Sequence, residues 1–366
     1  MEQQVIYKQY KEIEKWLKGK KTLLVCGGSM NSLEINQYFT SKDIVRFSDF
    51  NPNPTYESVV AGVQVYKAYS CDAIVAVGGG SAIDVAKCIK LFCNMDSKEN
   101  YLNQKITASH IPFMVIPTTA GTGSEATKFA VIYYGGIKQS VTHESCIPET
   151  VFFDESVLEK LPLYQKKVTL MDAFCHAIEA FWSVNSTKES KEFSKVAIEK
   201  ILQYKDSYLA SEFNVIAAKQ ILEASYLAGK AINITQTTAG HAMSYKLTGL
   251  YGISHGHAVA LCVSKLWPYM IEHIENCIDI RGNSYLENVF QELAVIMKTE
   301  NSKDAAIKFR EIVIGLNLEV PCPMHEDFAL LKKSVNLDRL KNNPIKLSEM
   351  DLEILYHQIL EGGSNV

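Results

Sequence analysis

The 366-residue sequence predicts a parallel α/β domain followed by an all-helical one. Three observations predict it. Residues up to about 150 alternate short β-rich runs with helical segments, as a parallel sheet covered by helices on both faces requires. Several of those strands run into glycine- or threonine-rich loops, and open parallel sheets bind ligands at the carboxyl ends of their strands. From about residue 158 onward, apolar residues recur at helical spacing with almost no strand signal. The expected division is therefore 1–157 and 158–366, which suits a chain beyond the size at which single cores stop growing.

In chain order, residues 22–26, 44–47, 73–77 and 112–116 each read as a buried strand. Gly27-Gly28 follows the first, Gly78-Gly79-Gly80 the third, and Pro117-Thr118-Thr119-Ala120-Gly121-Thr122-Gly123 the fourth. Residues 131–154, with turn residues at Gly135-Gly136 and Pro148, read as a peripheral hairpin closing the first domain. Residues 189–208, 211–232, 302–316 and 348–360 read as amphipathic helices. No repeat, low-complexity tract or long linker separates the domains, so they are expected to join tightly around a cleft.

The balance of 37 basic against 41 acidic residues, a net charge of −4, provides no field to draw nucleic acid or an acidic membrane. A small-molecule partner is favoured. Residues 1–21 lack the apolar core of a signal peptide, and no stretch reaches the roughly 18 apolar residues of a membrane span. Cys26, Cys71, Cys88, Cys93, Cys146, Cys175, Cys262, Cys277 and Cys322 include no CxxC pair, and most sit among apolar neighbours. They read as reduced thiols of a cytoplasmic protein.

The run from Ala73 to Asp84 reads as strand, glycine turn and helix start, with Ser81 as the cap and Asp84 answering it in a shortened capping box. Glycines let the backbone approach a ligand, and the free N–H groups of a helix start favour an anion; a pyrophosphate fits. Lys87, one turn on, is either a phosphate partner or a solvated helix residue. Thr118, Thr119, Thr122 and Ser124 offer four hydroxyls beside two glycines, suited to adenine, ribose and phosphate oxygens.

Asp172 and His176 lie four apart in a segment of good helix formers, so a carboxylate and an imidazole share a face. His241 and His255 are fourteen apart, and an unbroken helix would separate them by about 21 Å. Gly249, Gly252 and Gly256 supply the breaks by which the chain can return. Three imidazoles and one carboxylate then suit Fe²⁺ or Zn²⁺. His257, two residues past His255, competes for the fourth place.

Together these motifs resemble the iron-containing alcohol dehydrogenase family over nearly the whole chain. The Gly-Gly-Gly-Ser loop at Gly78 to Ser81, the Thr-rich loop at Pro117 to Glu125, the Asp-x-x-x-His at Asp172 and His176, and the later histidine pair stand in the family's order and spacing. The resemblance implies a Rossmann-like amino-terminal domain, an all-helical carboxyl-terminal domain as in the dehydroquinate synthase-like fold, and iron between them in a likeness whose members are commonly dimers. It further implies that Gly79, Gly80 and Ser81 cradle the pyrophosphate, that Thr118, Thr119 and Thr122 line the adenosine end, and that Lys138 stands near the nicotinamide ribose. NAD-preferring relatives often carry an aspartate after the first strand. Gly27 stands there instead, with Ser29 nearby, which favours NADP(H) over NAD(H).

Many members place a further histidine four residues after the third ligand as a proton relay; this chain has Tyr245. Tyr245, His257 or a water chain can take that role. The stretches 127–131 and 241–248 resemble the branch that reduces phosphonoacetaldehyde to 2-hydroxyethylphosphonate, with Lys128 and Lys246 as partners for the phosphonate. Lyases similar to dehydroquinate synthase, which use NAD and zinc transiently, share the architecture but rely on a denser set of basic residues.

Overall fold

Strands β1 (Gln4–Tyr7), β2 (Thr22–Cys26), β3 (Ile44–Phe47), β4 (Ala73–Gly78), β5 (Phe113–Pro117) and β8 (Thr150–Phe153) form one parallel sheet in the order β1-β8-β5-β4-β2-β3. This computed structural model describes residues 3–335 and 340–362; positions 1–2, 336–339 and 363–366 of the expected domains lie outside them. The central strands are apolar at successive positions because both faces are covered. Leu23, Val25, Ile74, Ala76, Phe113 and Val115 point to one side, against α2 (Tyr56–Ala68) and α3 (Gly80–Phe92). Leu24, Cys26, Val75, Val77, Met114 and Ile116 point to the other, against α1 (Tyr10–Leu17) and the short 3₁₀ turns after β2. Each of the larger of these, Val, Leu, Ile, Met or Phe, stabilises the fold by about 1.5–3 kcal/mol when fully buried.

The chain runs outward from β2 to β3 and then back across to β4 and β5, so the direction reverses between β2 and β4. That reversal opens a crevice at the carboxyl ends of those two strands. Both glycine clusters, Gly27-Gly28 and Gly78-Gly79-Gly80, lie there.

The expected strands and helices form, with three differences. Strand β3 is half-buried rather than buried, because it is the sheet's edge and has no neighbour beyond it. Strand β1, four residues in a polar amino-terminal stretch, carried no pattern long enough to read. Residues 131–154 are not one hairpin. Strands β6 (Phe129–Tyr134) and β7 (Ile137–Thr142) make a separate antiparallel pair turning at Gly135 and Gly136, both at positive φ, while buried β8 joins the main sheet.

The chain divides into two compact units: residues up to Leu161 together with Glu212–Leu222, and Pro162–Ser211 together with residues from Glu223 onward. Among its described residues the second unit is helical, with α4 (Leu163–Trp182), α5 (Lys188–Leu209), the later part of α6 (Val215–Thr235), α7 (Ala239–Tyr251), α8 (His255–Glu272), α9 (Asn283–Met297), α10 (Ser302–Gly315), α11 (His325–Ser334) and α12 (Glu349–Leu360). Ser348 and Asp351 form the capping box of α12. Trp182, Trp267, Phe290, Phe174 and Phe309 interlock in its core. The buried Tyr356 hydroxyl donates to the Met243 carbonyl at 2.9 Å, pinning α12 to α7. No helix among the described residues is long and apolar enough to cross a membrane.

Candidate functional site

From Leu170 to its end helix α4 is buried throughout, yet two carboxylates and an imidazole lie there: Asp172, His176 and Glu179. At spacings of four and three they share one helix face. Asp172, His176 and His241 of α7 each bring one donor atom within 4.8 Å of the other two. From Asp172 Oδ1, His241 Nε2 is 3.6 Å away and His176 Nε2 is 3.9 Å away. The His176 and His241 rings stack at 4.4 Å.

His255, outside that group of three, also comes beside Asp172, through a specific device. Helix α7 ends at Gly252, whose left-handed backbone (φ 66°) turns the chain, and α8 starts three residues later at His255. Its Nε2 lies 3.9 Å from Asp172 Oδ1, and its side chain is 36% exposed, which leaves one side of the cluster open. The close approach of α8 to α4 depends on Gly256: a Cβ there would sit 2.0 Å from the Val168 carbonyl oxygen and 2.9 Å from Asp172 Cβ. Tyr245, one turn after His241, stacks its ring on His255 at 5.6 Å. His257 stands apart from the four, its Nδ1 3.2 Å from the Tyr164 hydroxyl.

The electrostatics favour positive charge at the centre of this cluster. Burial alone would push the Asp172 carboxyl up, but the facing imidazoles of His176, His241 and His255 outweigh it and hold the group well below the usual carboxylate range. Burial likewise opposes charge on His241, but Glu179 and Asp172 pull it up to about 10. Asp172 Oδ1 and His241 Nε2 are buried without a hydrogen-bond partner. At 3.6 Å they are too far apart to bond each other. Donors about 2.1 Å from one tetrahedral ion stand about 3.4 Å from one another, so these residues fit a divalent cation.

Glu179 is the residue that sequence reasoning passed over. It is fully buried, and its Oε2 lies against His241 Nδ1. A lone carboxylate in the apolar run Ala177-Ile178-Glu179-Ala180-Phe181-Trp182 was the available signal, since a buried charge must be matched.

In the first unit, the loops after β4 and β5 lock together. Thr118 N–H donates to the Gly78 carbonyl at 3.0 Å. A Cβ on Gly79 would meet Thr119 Oγ1 at 3.1 Å, and one on Gly80 would meet Thr122 Cγ2 at 2.9 Å, so the glycines serve the packing of the two loops as well as an open approach. The expected capping box is absent: α3 is capped by Gly79 without a side-chain bond, because Asp84 turns inward. Its oxygens accept from the Ser124 hydroxyl at 2.7 Å and the Val131 N–H at 2.9 Å. Lys87 is neither solvated nor a phosphate partner. Fully buried, its ammonium donates to Ser124 Oγ, to Thr127 O and Oγ1, and to the Phe129 carbonyl, between 2.7 and 3.1 Å. Ser81, Thr118, Thr119 and Thr122 remain partly exposed, as does Lys138 on β7. Gly27 and Gly28 have open space where a Cβ would stand, and Ser29 is exposed.

One unit carries a glycine-ended parallel sheet and the other a buried histidine-carboxylate cluster. The description "Iron-containing alcohol dehydrogenase" matches residues 3–155, and "Fe-containing alcohol dehydrogenase family, C-terminal" matches residues 167–360; the chain belongs to this family of oxidoreductases. It is 30% identical over 266 residues to the NAD-dependent methanol dehydrogenase of Bacillus methanolicus, covering 70% of this chain and 69% of that one. It is 28% identical over 313 residues to the phosphonoacetaldehyde reductase of Streptomyces viridochromogenes, covering 81% and 78%. The crystal structure of sulfoacetaldehyde reductase from Bifidobacterium kashiwanohense in complex with NAD⁺ superposes with a TM-score of 0.86 at 25% identity, over 98% of this chain and 97% of that one.

Two expectations follow. Gly256→Ala must push the first turn of α8 off α4 and should lower stability by about 1–3 kcal/mol; thermal denaturation checks this, and an unchanged Tm would show that the helices part without cost. Glu125 is 2% exposed with one oxygen unpartnered, and burial raises its carboxyl from 4.5 to about 7 against the opposing pull of its own N–H and of Lys87. The folded chain then keeps a proton that the unfolded chain releases, so this group's contribution is full below pH 4.5 and lost as pH rises through about 7. Glu125→Gln should therefore melt higher than the parent at pH above 7, by at most about 3 kcal/mol, with the gap closing toward acid. Parallel melting curves across pH decide it.

Proposed function

We propose that the chain is a metal-dependent aldehyde reductase, reversible as an alcohol dehydrogenase, that holds Fe²⁺, or Zn²⁺ in its place, through Asp172, His176, His241 and His255, and uses NADPH in preference to NADH. The observation that carries this reading is the convergence of three imidazoles on one buried carboxylate oxygen that has no other partner. When bound, the cation supplies Lewis acidity to a substrate oxygen and the nicotinamide supplies the hydride.

The chain's own residues do the rest. Asp172, His176 and His241, all buried, would hold the cation, with partly exposed His255 on the side open to a substrate oxygen. The proton that the product oxygen needs comes by way of Tyr245, which stacks on His255, of His257, which is tied to Tyr164, or of a water chain. Gly79, Gly80 and Ser81 at the start of α3 receive the pyrophosphate, with Thr118, Thr119 and Thr122 lining the adenosine and Lys138 the nicotinamide ribose. Asp84 and Ser124 support the site from behind, their polar atoms committed to one another. The open floor at Gly27 and Gly28, with Ser29 and no carboxylate, accommodates a 2′-phosphate.

The most specific substrate reading is phosphonoacetaldehyde, reduced to 2-hydroxyethylphosphonate. Its support is likeness to two reductases of two-carbon aldehydes carrying a tetrahedral anion, one a phosphonate and the other a sulfonate. Half-buried Lys246 on α7 is the candidate anion partner, whereas Lys128 is already paired with Glu144 at 3.0 Å. All nine cysteines are free, which suits the reducing cytoplasm.

Anaerobic Fe²⁺-loaded protein should oxidise NADPH faster than NADH, and phosphonoacetaldehyde should outperform acetaldehyde in kcat/KM. His241→Ala and His255→Ala should abolish turnover, by at least about 10³-fold, while NADPH binding survives. Full turnover by metal-stripped protein would sink the reading, and no net NADPH consumption would favour a lyase that returns its cofactor.

A further inference from the structure

The metal reading leaves unexplained a buried polar chain behind His241. Trp182, the last residue of α4, donates its indole N–H to Thr238 Oγ1 at 3.0 Å. Thr238 Oγ1 in turn donates to Glu179 Oε1 at 2.6 Å. The same oxygen accepts the His241 backbone N–H at 3.3 Å, and Glu179 Oε2 lies against His241 Nδ1. All four residues are at most 2% exposed, and Glu179 and Thr238 are at 0%. Gly240 makes room for this: a Cβ there would stand 3.0 Å from Glu179 Oε1 and 2.6 Å from a Val263 methyl.

We infer that Glu179, held by Trp182 and Thr238, is the positioning residue that sets cation affinity, by keeping the His241 ring proton on Nδ1 and so aiming a bare Nε2 at the ion. This rests on the metal reading above. An imidazole binds a metal through an unprotonated nitrogen, and the partner of its other nitrogen decides which one that is. A carboxylate only accepts, so it requires the proton on the side facing it. His241 Nε2, buried and otherwise unpartnered, is then the nitrogen that faces the cluster, 3.6 Å from Asp172 Oδ1. Glu179 also caps α7: Thr238 at the N-cap makes no side-chain bond to its own helix, and the carboxylate takes the His241 N–H instead. Ring orientation and helix position are thus fixed by one group. Its negative charge, added to that of Asp172, matches a divalent ion.

Glu179→Gln tests this, because the amide keeps the size and can keep both bonds to Oε1 but turns an N–H₂ toward His241 Nδ1. The ring proton must then move to Nε2, facing the ion. Affinity for Zn²⁺ and Co²⁺, measured by competition with a chromophoric chelator, should weaken about 10–100-fold, with Glu179→Asp recovering part of the loss. The Co²⁺ ligand-field spectrum should also change, which a merely structural role would not cause. Affinity within about two-fold of the parent overturns the inference. Should Glu179→Gln not fold, Thr238→Val replaces it: weaker metal binding supports the inference and unchanged binding overturns it. A parent protein that binds neither ion removes the metal reading itself.

Discussion

An anion taken out of water needs a matching positive charge, and helix α4 takes two carboxylates fully inside. Asp172 and Glu179 stand two turns apart on one face, with His176 between them. No lysine or arginine reaches either among the described contacts; only imidazoles do. This demand organises the helical unit. Helix α7 must present His241 between the two carboxylates, and α8 must begin where His255 can face Asp172. A histidine-only environment is also adjustable, since an imidazole can serve as a neutral ligand where an ammonium cannot.

The backbone makes these approaches possible at a few positions. Gly240 and Gly256 are each beside an α4 carboxylate or its neighbour, and at each a methyl would collide with another helix. In the α/β unit the same economy appears between loops, where Gly79 and Gly80 receive Thr119 and Thr122. Glycine here works mainly by absence of volume. Gly252, at the α7 end, is needed instead for its left-handed backbone, as are Gly135 and Gly136 in the hairpin turn.

The sequence made the fold largely legible because its two periodicities separate cleanly: buried strands up to β5, and helical spacing after α4. What escaped was short or at an edge. Strand β1 has four residues, and β8 sits directly behind a hairpin, so neither offered enough pattern to separate from its surroundings. The cluster of Asp172, His176, His241 and His255 was legible from residue type and spacing. Glu179 was not, because spacing alone does not tell a buried carboxylate from a solvated one. Asp84 and Lys87 misled for the same reason: on a helix beside a glycine loop they look like ligand-facing residues, yet both point into the domain. Side-chain direction relative to the sheet, which α3 acquires only by packing, decides between these readings.

The inward turn of Lys87 bears on how this sequence can drift. Four oxygens converge on one ammonium, so the stretch from Ser124 to Phe129 has little latitude: each hydroxyl there satisfies another buried group, and single replacements strand a partner in the dark interior. The turn after β2 is the opposite case, with bare space around Gly27 and Gly28. Packing leaves descendants of this chain room to diversify at that corner of the sheet, where only a bound ligand would hold the sequence, while the other loop stays nearly frozen.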